Sequence, residues 1–150
     1  MICSLLDAAR GAFSATFGAE PTVLARAPGR VELLGNHTDY NGGLVLAAAI
    51  DRFTVVAGRP VPGREARVWS VPFEGMDHFA LDAIERGEPG FWGRYVRGVA
   101  WALGEVDGPL TSGFEAAITG DVPRGAGLSS SASLQAAVAL FLLRAGVVPG

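Results

Sequence analysis

The segment Gly120-Asp121-Val122-Pro123-Arg124-Gly125-Ala126-Gly127-Leu128-Ser129-Ser130-Ser131-Ala132-Ser133 constrains this chain more than any other. The glycines at 125 and 127 let backbone amides converge without a Cβ in the way, and the segment opens directly into a helix. The apolar run before it, Gly113 to Thr119, predicts a strand, and the run after it predicts a helix over about residues 132–145. Such a strand–loop–helix unit gathers backbone N–H groups at the start of the helix. Those first-turn donors have no partner inside the helix, and the helix dipole favours negative charge there. Three consecutive serines add hydroxyls that can donate to a phosphate or ligate a magnesium ion. The segment lacks Gly-Lys-Ser/Thr and so is not a Walker A loop. The work of that lysine would fall to helix-terminal amides, the metal and Arg124. The plainer alternative is a flexible loop and one capping serine. It accounts for one serine and one glycine, and leaves the rest of the segment unexplained.

Upstream, Leu5, Ala8, Ala9 and Phe13 share one face of a predicted helix over residues 4–16. Val23 to Arg26, Val31 to Leu34, Leu44 to Ile50, Phe53 to Gly58 and Arg67 to Val71 predict short strands. Ala27-Pro28-Gly29 and Asn41-Gly42-Gly43 separate some of them, the second being a strong turn signal. Phe91, Tyr95, Val96, Val99 and Leu103 predict a helix over 91–104, stopped near Gly104. Strands that precede and interleave with three helices imply an α+β domain, with all 150 residues forming one unit.

Arg30 and the stretch Gly35-Asn36-His37-Thr38-Asp39-Tyr40-Asn41-Gly42-Gly43 form a polar island between apolar strands. Its amides, imidazole and carboxylate could bind a polyhydroxylated ligand, since unpaired buried polar groups penalise a wrong one. An Asx/Gly turn with His37 and Asp39 satisfied locally is the alternative. It is favoured for Asn41-Gly42-Gly43, and for His37 and Asp39 both readings stand. His78 is the only other histidine and has no spacing relation to this stretch, so a metal site there is not expected.

Composition narrows the class. The chain is 49% hydrophobic and 18% charged with net charge −3, and its basic residues are scattered. Neither a nucleic-acid partner nor an anionic membrane is expected. Cys3 is the single cysteine, which excludes a disulfide framework and a cysteine metal site. The N-terminus lacks a charged region followed by a continuous apolar one, and Leu134 to Leu143 is too short to span a bilayer. A cytoplasmic protein is the expectation.

Ala27-Pro28-Gly29-Arg30-Val31-Glu32-Leu33-Leu34-Gly35-Asn36-His37-Thr38-Asp39-Tyr40-Asn41 resembles the first signature of the galactokinases. Pro123 to Ser133 resembles the phosphate loop of the wider superfamily, which includes homoserine, mevalonate and phosphomevalonate kinases. Trp92-Gly93-Arg94-Tyr95-Val96-Arg97-Gly98 resembles a helix found between the two. The resemblance implies a GHMP-kinase N-terminal domain, ribosomal protein S5 domain 2-like, with a mixed sheet and helices on one side. It implies ATP-dependent phosphorylation of the anomeric hydroxyl of galactose, with ATP and Mg2+ bound.

By position, Arg30 would stabilise the transferring phosphoryl group, and Asn36, His37, Thr38 and Asp39 would bind the sugar. Gly125, Ala126, Gly127, Leu128, Ser129, Ser130 and Ser131 would bind ATP, with Ser131 also the magnesium ligand. Ser70 is a further candidate nucleotide contact. Trp92 and Tyr95 could line the adenine side, but both sit on the apolar helix face, so core packing is the expectation for them. Two positions depart from the family pattern, Asn36 and Gln135, where glutamate is usual. Asn36 exchanges a charged acceptor for an amide that both donates and accepts. It keeps open a related sugar 1-kinase acting on an N-acetylhexosamine or a pentose, and a non-catalytic sugar- and ATP-binding relative is a further alternative. The family's catalytic aspartate and acidic magnesium ligand would lie beyond residue 150, so the chain is expected to be an N-terminal portion without its C-terminal domain, inactive if it were a truncation.

Overall fold

A computed structural model describes residues 2–35 and 41–149. Helix α1 (Ile2–Phe17) leads into strands β1 (Val23–Leu34), β2 (Leu46–Val61) and β3 (Glu65–Ser70). A 3₁₀ turn (Val71–Phe73) joins β3 to β4 (Gly75–Ala80), and α2 (Gly93–Asp107), β5 (Gly113–Gly120) and α3 (Ser130–Arg144) follow. The five strands form one sheet in the order β1-β2-β5-β3-β4. Only β3 and β5 run parallel, and the other neighbouring pairs are antiparallel.

The sheet is mixed, as expected, but its helices lie on both faces. Val56, Val68, Phe114 and Ile118 pack with Trp92, with Val96 of α2 and with Ala137 and Phe141 of α3. The alternate residues Val55, Ala57 and Ala117 pack instead with Ala9 and Phe13 of α1. Strand periodicity of two sends neighbouring residues to opposite faces, so the unbroken apolar run from Val55 to Ala57 already required cover on both sides. The expectation of helices on one side is corrected on this point.

Three boundaries also differ from the sequence expectations. Ala27-Pro28-Gly29 does not break the first strand: β1 runs through it, with a register shift between Pro28 and Arg30. Because β1 is an edge strand, the missing N–H of Pro28 is tolerated beside such an irregularity. Likewise, β2 is one long strand from Leu46 rather than two. Helix α2 begins after Phe91, at Gly93, and continues past Gly104 to a cap at Gly108. Its buried residues Val96 and Ala100 hold the helix against the sheet, which outweighs the helix-weakening cost of one glycine. β4 had no strand prediction in the sequence, and it pairs with β3 along its length.

Two ion-pair sets brace the sheet. Glu115 of β5, 2% exposed, receives Arg59 of β2 at 2.9 Å on one side and Arg67 of β3 on the other. At the far edge, Asp77 of β4, also 2% exposed, pairs with Arg97 of α2 at 2.5 Å. The hydrogen bond to Asp77 raises the Arg97 pKa above its ordinary value. By contrast, His78 and Glu65 pair at 2.9 Å with both side chains more than half exposed. Removing one partner of a buried pair strands the other, whereas exposed pairs contribute little. Asp77→Ala is therefore expected to lower stability by about 3–5 kcal/mol, and Glu65→Ala by less than about 1 kcal/mol. Urea unfolding midpoints at unchanged m-value test this contrast.

Candidate functional site

Because β3 and β5 are parallel, their carboxyl ends open on the same edge of the sheet, with Ser70 opposite Ile118. Ligands in such sheets gather outside the carboxyl ends of parallel strands. The glycine- and serine-rich loop leaves β5 at that edge, and its first residue is pinned from two directions. The Asp121 carboxylate accepts from Phe53 N at 2.7 Å, while Asp121 N donates to Phe53 O at 3.0 Å. Further along, Arg30 N of β1 donates to Leu128 O at 3.1 Å. Gly29 permits that approach, since a Cβ there would lie 2.9 Å from Leu128 O and 2.9 Å from Val122 Cγ1.

Gly125 and Gly127 both have φ +71°, and Ser129 has φ +59° at the N-cap of α3. The Ser129 side chain makes no capping hydrogen bond, although it holds the capping position. The reading of a serine-capped helix therefore does not describe this loop. Ser129 O accepts from Ser133 N at 2.9 Å, which starts the helix, and Ser129, Ser130 and Ser131 line the loop cavity. Ser133 itself is buried. Its hydroxyl donates to Ala27 O at 2.9 Å and lies 2.8 Å from Thr54 Oγ1, so α3 is tied to β1 and β2 at once.

Loop, strand ends and α2 enclose a cavity of about 680 Å³. Gly125, Gly127, Leu128, Ser129, Ser130 and Ser131 line it, as does Ser70. Ala126 is exposed and does not line it. At the other end, Phe73 stacks on Trp92 with centroids 6.0 Å apart and planes at 13°. The Arg124 guanidinium covers the same Phe73 ring, 4.5 Å from its centre. Trp92 is 7% exposed and belongs to the core, as expected, yet it also lines the cavity. Tyr95 is 41% exposed and lines the cavity too, so its expected place in the core is corrected. The buried residues of α2 are instead Gly93, Val96 and Ala100. Phe73 escaped sequence reasoning because Val71-Pro72-Phe73 reads as a strand end, and only Pro72 marks the turn.

Chemically, the cavity joins a flat aromatic wall to a loop of amides and hydroxyls. It suits a ligand with a planar ring at one end and phosphate at the other. Ser131, the expected magnesium ligand, is among the lining residues, and no Asp or Glu is. The described residues contain no cluster of three or more His, Cys, Asp or Glu side chains. A magnesium ion is thus accommodated only in the way it accompanies nucleotides, through phosphate oxygens, water and one protein oxygen. Arg30 is exposed on β1 beside the loop. Asn36, His37, Thr38 and Asp39 lie outside the described residues. Asn41 and Gly42 form a turn after them, with Gly42 at φ +73°.

Two family signatures match the chain: the galactokinase galactose-binding signature over residues 11–60, and the N-terminal domain of GHMP kinases over 94–147. It is 53% identical to a galactokinase of Chloroflexus aggregans over 127 residues, covering 85% of this chain and 32% of that protein. To a galactokinase of Roseiflexus it is 50% identical over 130 residues, covering 87% and 33%. The chain thus spans about one third of the length of these relatives. The crystal structure of Lactococcus lactis galactokinase complexed with galactose superposes with a TM-score of 0.80 at 32% identity, over 97% of this chain and 41% of that one. The mevalonate kinase of Methanococcus jannaschii shares the fold, with a TM-score of 0.64 at 20% identity.

The glycines of the loop and of β1 can be tested apart. At Gly127 nothing lies within 4 Å of an added Cβ, so Gly127→Ala costs only left-handed strain, about 1–2 kcal/mol, and Gly127→Asn recovers part of it. At Gly29 the obstacle is packing, so Gly29→Ala costs about 1–3 kcal/mol and Gly29→Asn is no better. Denaturant midpoints of the four variants test the distinction.

Proposed function

We propose that this chain, which belongs to the galactokinase family of GHMP kinases, supplies the nucleotide-gripping and sugar-recognising portion of an enzyme that phosphorylates galactose at its anomeric hydroxyl, with ATP as donor. The observation that carries the proposal is the uncapped serine loop at the start of α3, tied through Leu128 to the strand bearing Arg30. Phosphoryl transfer depends on positioning and charge stabilisation more than on covalent chemistry by the protein. A loop that presents amides and a neighbouring strand that presents a guanidinium meet part of that demand.

In this reading, the amides and hydroxyls from Gly125 to Ser131 hold the ATP phosphates, and Phe73 and Trp92 receive the adenine. Ser70, buried on the cavity wall, completes the nucleotide contacts. Ser131 would be this chain's ligand to Mg2+, which when bound neutralises charge on the phosphates. Arg30 stabilises the transferring group. Asn36, His37, Thr38 and Asp39 recognise sugar hydroxyls, a role supported by the galactose-binding signature that spans them. The catalytic base and an acidic metal ligand would come from a second domain. Leu33, Leu34 and Leu44, all more than half exposed on the β1–β2 flank, form an apolar surface suited to its cover. An ATP-using sugar kinase with a single cysteine fits a cytoplasmic location, and among the described residues no helix is long and apolar enough to cross a membrane.

The test is a coupled ATP-consumption assay of the full-length protein across sugars. Turnover on galactose is expected, whereas turnover on N-acetylgalactosamine and not galactose would move the assignment to the related sugar kinase that Asn36 permits. In the same assay, Arg30→Ala is expected to lower kcat about 10²-fold or more while the KM for sugar changes little. A change confined to KM contradicts the role given to Arg30.

A further inference from the structure

A second concavity, about 950 Å³, adjoins the first and shares only Gly90 and Tyr95 with it. It lies where the loop after β4 crosses α2, with Gln135 of α3 on its wall. Its charge is unlike that of the whole chain. Against a net charge of −3, the lining holds Arg86, Arg94 and Arg97 and no Asp or Glu.

One of the three is committed to structure. Arg97 donates from Nε and Nη2 to the two carboxylate oxygens of Asp77, and from Nη1 to Glu85 O at 3.1 Å. It neutralises a buried acid and fastens the segment that carries Arg86. The other two have no such partner. Neither Arg86 nor Arg94 forms an ion pair with another described residue, and Arg94 Nε is buried without a hydrogen-bond acceptor. An unsatisfied buried donor is costly, and a guanidinium donor is costlier than a neutral one. Around these cations stand aromatic rings. Tyr95 is 41% and Trp101 56% exposed, both on this concavity, and Phe91 lines its floor. Exposed aromatic rings beside unpaired guanidinium groups form a surface that holds a flat ring and an anion together.

We propose that this concavity is a second ligand site, for an aromatic or heterocyclic phosphomonoester, with the phosphate on Arg86 and Arg94 and the ring against Tyr95 and Trp101. The site is separate from the loop cavity and does not depend on the kinase reading. Because Tyr95 borders both concavities, a ligand in the second can alter affinity in the first, which would make it an effector site.

The probe is 1-naphthyl phosphate, titrated calorimetrically into the full-length protein saturated with a non-hydrolysable ATP analogue. Binding is expected to persist at saturation, to weaken at least tenfold in Arg94→Gln, and to weaken further when Arg86→Gln is added. Unfolding midpoints of the variants establish that they are folded, and Arg86→Gln alone serves if Arg94→Gln is not. Uncharged 1-naphthol and the carboxylate 1-naphthoate are expected to bind at least tenfold more weakly. Binding that the arginine substitutions leave unchanged, or that 1-naphthol matches, overturns the proposal. So does complete displacement of the probe by the ATP analogue, which would reduce the two concavities to one site. If the analogue itself fails to bind, the nucleotide reading of the first cavity fails alone, and the same titration without it still decides the second.

Discussion

The approach of β1 to the serine loop is the contact on which the rest of the site depends. It exists because residue 29 has no Cβ, and it is fixed by the bond from Arg30 N to Leu128 O. Any larger residue at 29 would push the strand from the loop or deform the loop itself. The register shift between Pro28 and Arg30 falls at this contact, so β1 changes its alignment with β2 where it meets the loop. Arg30 is thereby carried beside the serine loop, though the two segments are far apart in sequence. Ser133 repeats the tie one turn into α3, where a single hydroxyl satisfies a β1 carbonyl and a β2 hydroxyl. Contacts of such long sequence separation close large loops and form late, so loop and strand are expected to order together.

Behind this contact, β5 gives the loop a rigid origin. Every residue from Gly113 to Thr119 is buried, with strands on both flanks and helices on both faces. A glutamate inside such a strand is tolerable only when its charge is met. Arg59 and Arg67 stand opposite Glu115 in register, one on each neighbouring strand. The row crosses three strands and discourages a slip of either pairing, because a shift of one residue would turn Glu115 and its partners to opposite faces. Its value lies in specifying register more than in net stabilisation, since a desolvated pair recovers little energy beyond its own burial cost.

Much of this was legible in the sequence because local chemistry dictated it. The serine loop and α3 announced themselves through glycines at 125 and 127 followed by an apolar run, and α3 does begin at Ser130. Helix α1 was readable from the spacing of Ala9 and Phe13, which are its buried residues. What local reasoning missed was set at a distance. β4 reads as an undistinguished Gly-Met-Asp-His-Phe-Ala, and it is a strand because β3 pairs with it and Arg97 meets Asp77. The continuity of β1 through Pro28 depends on its edge position, which no window of sequence reveals. Tyr95 carries the same helical spacing as Val96 and Val99, and only the placement of the cavity shows that it faces away from the core.

The wall between the two concavities shows how one buried pair organises surfaces that it does not line together. Gly93 opens α2 against the Asp77 carboxylate, where an added Cβ would collide with Asp77 and with the Phe91 ring. That clearance lets α2 sit low on β4, so that Trp92 enters the core while still stacking on Phe73. Arg97 then spans from Asp77 to the carbonyl of Glu85 and positions the segment whose Gly90 borders both concavities. Disturbing Asp77 would therefore move the aromatic wall of the first concavity and the cationic rim of the second together. At that end α2 is held by this charge pair rather than by a capping side chain.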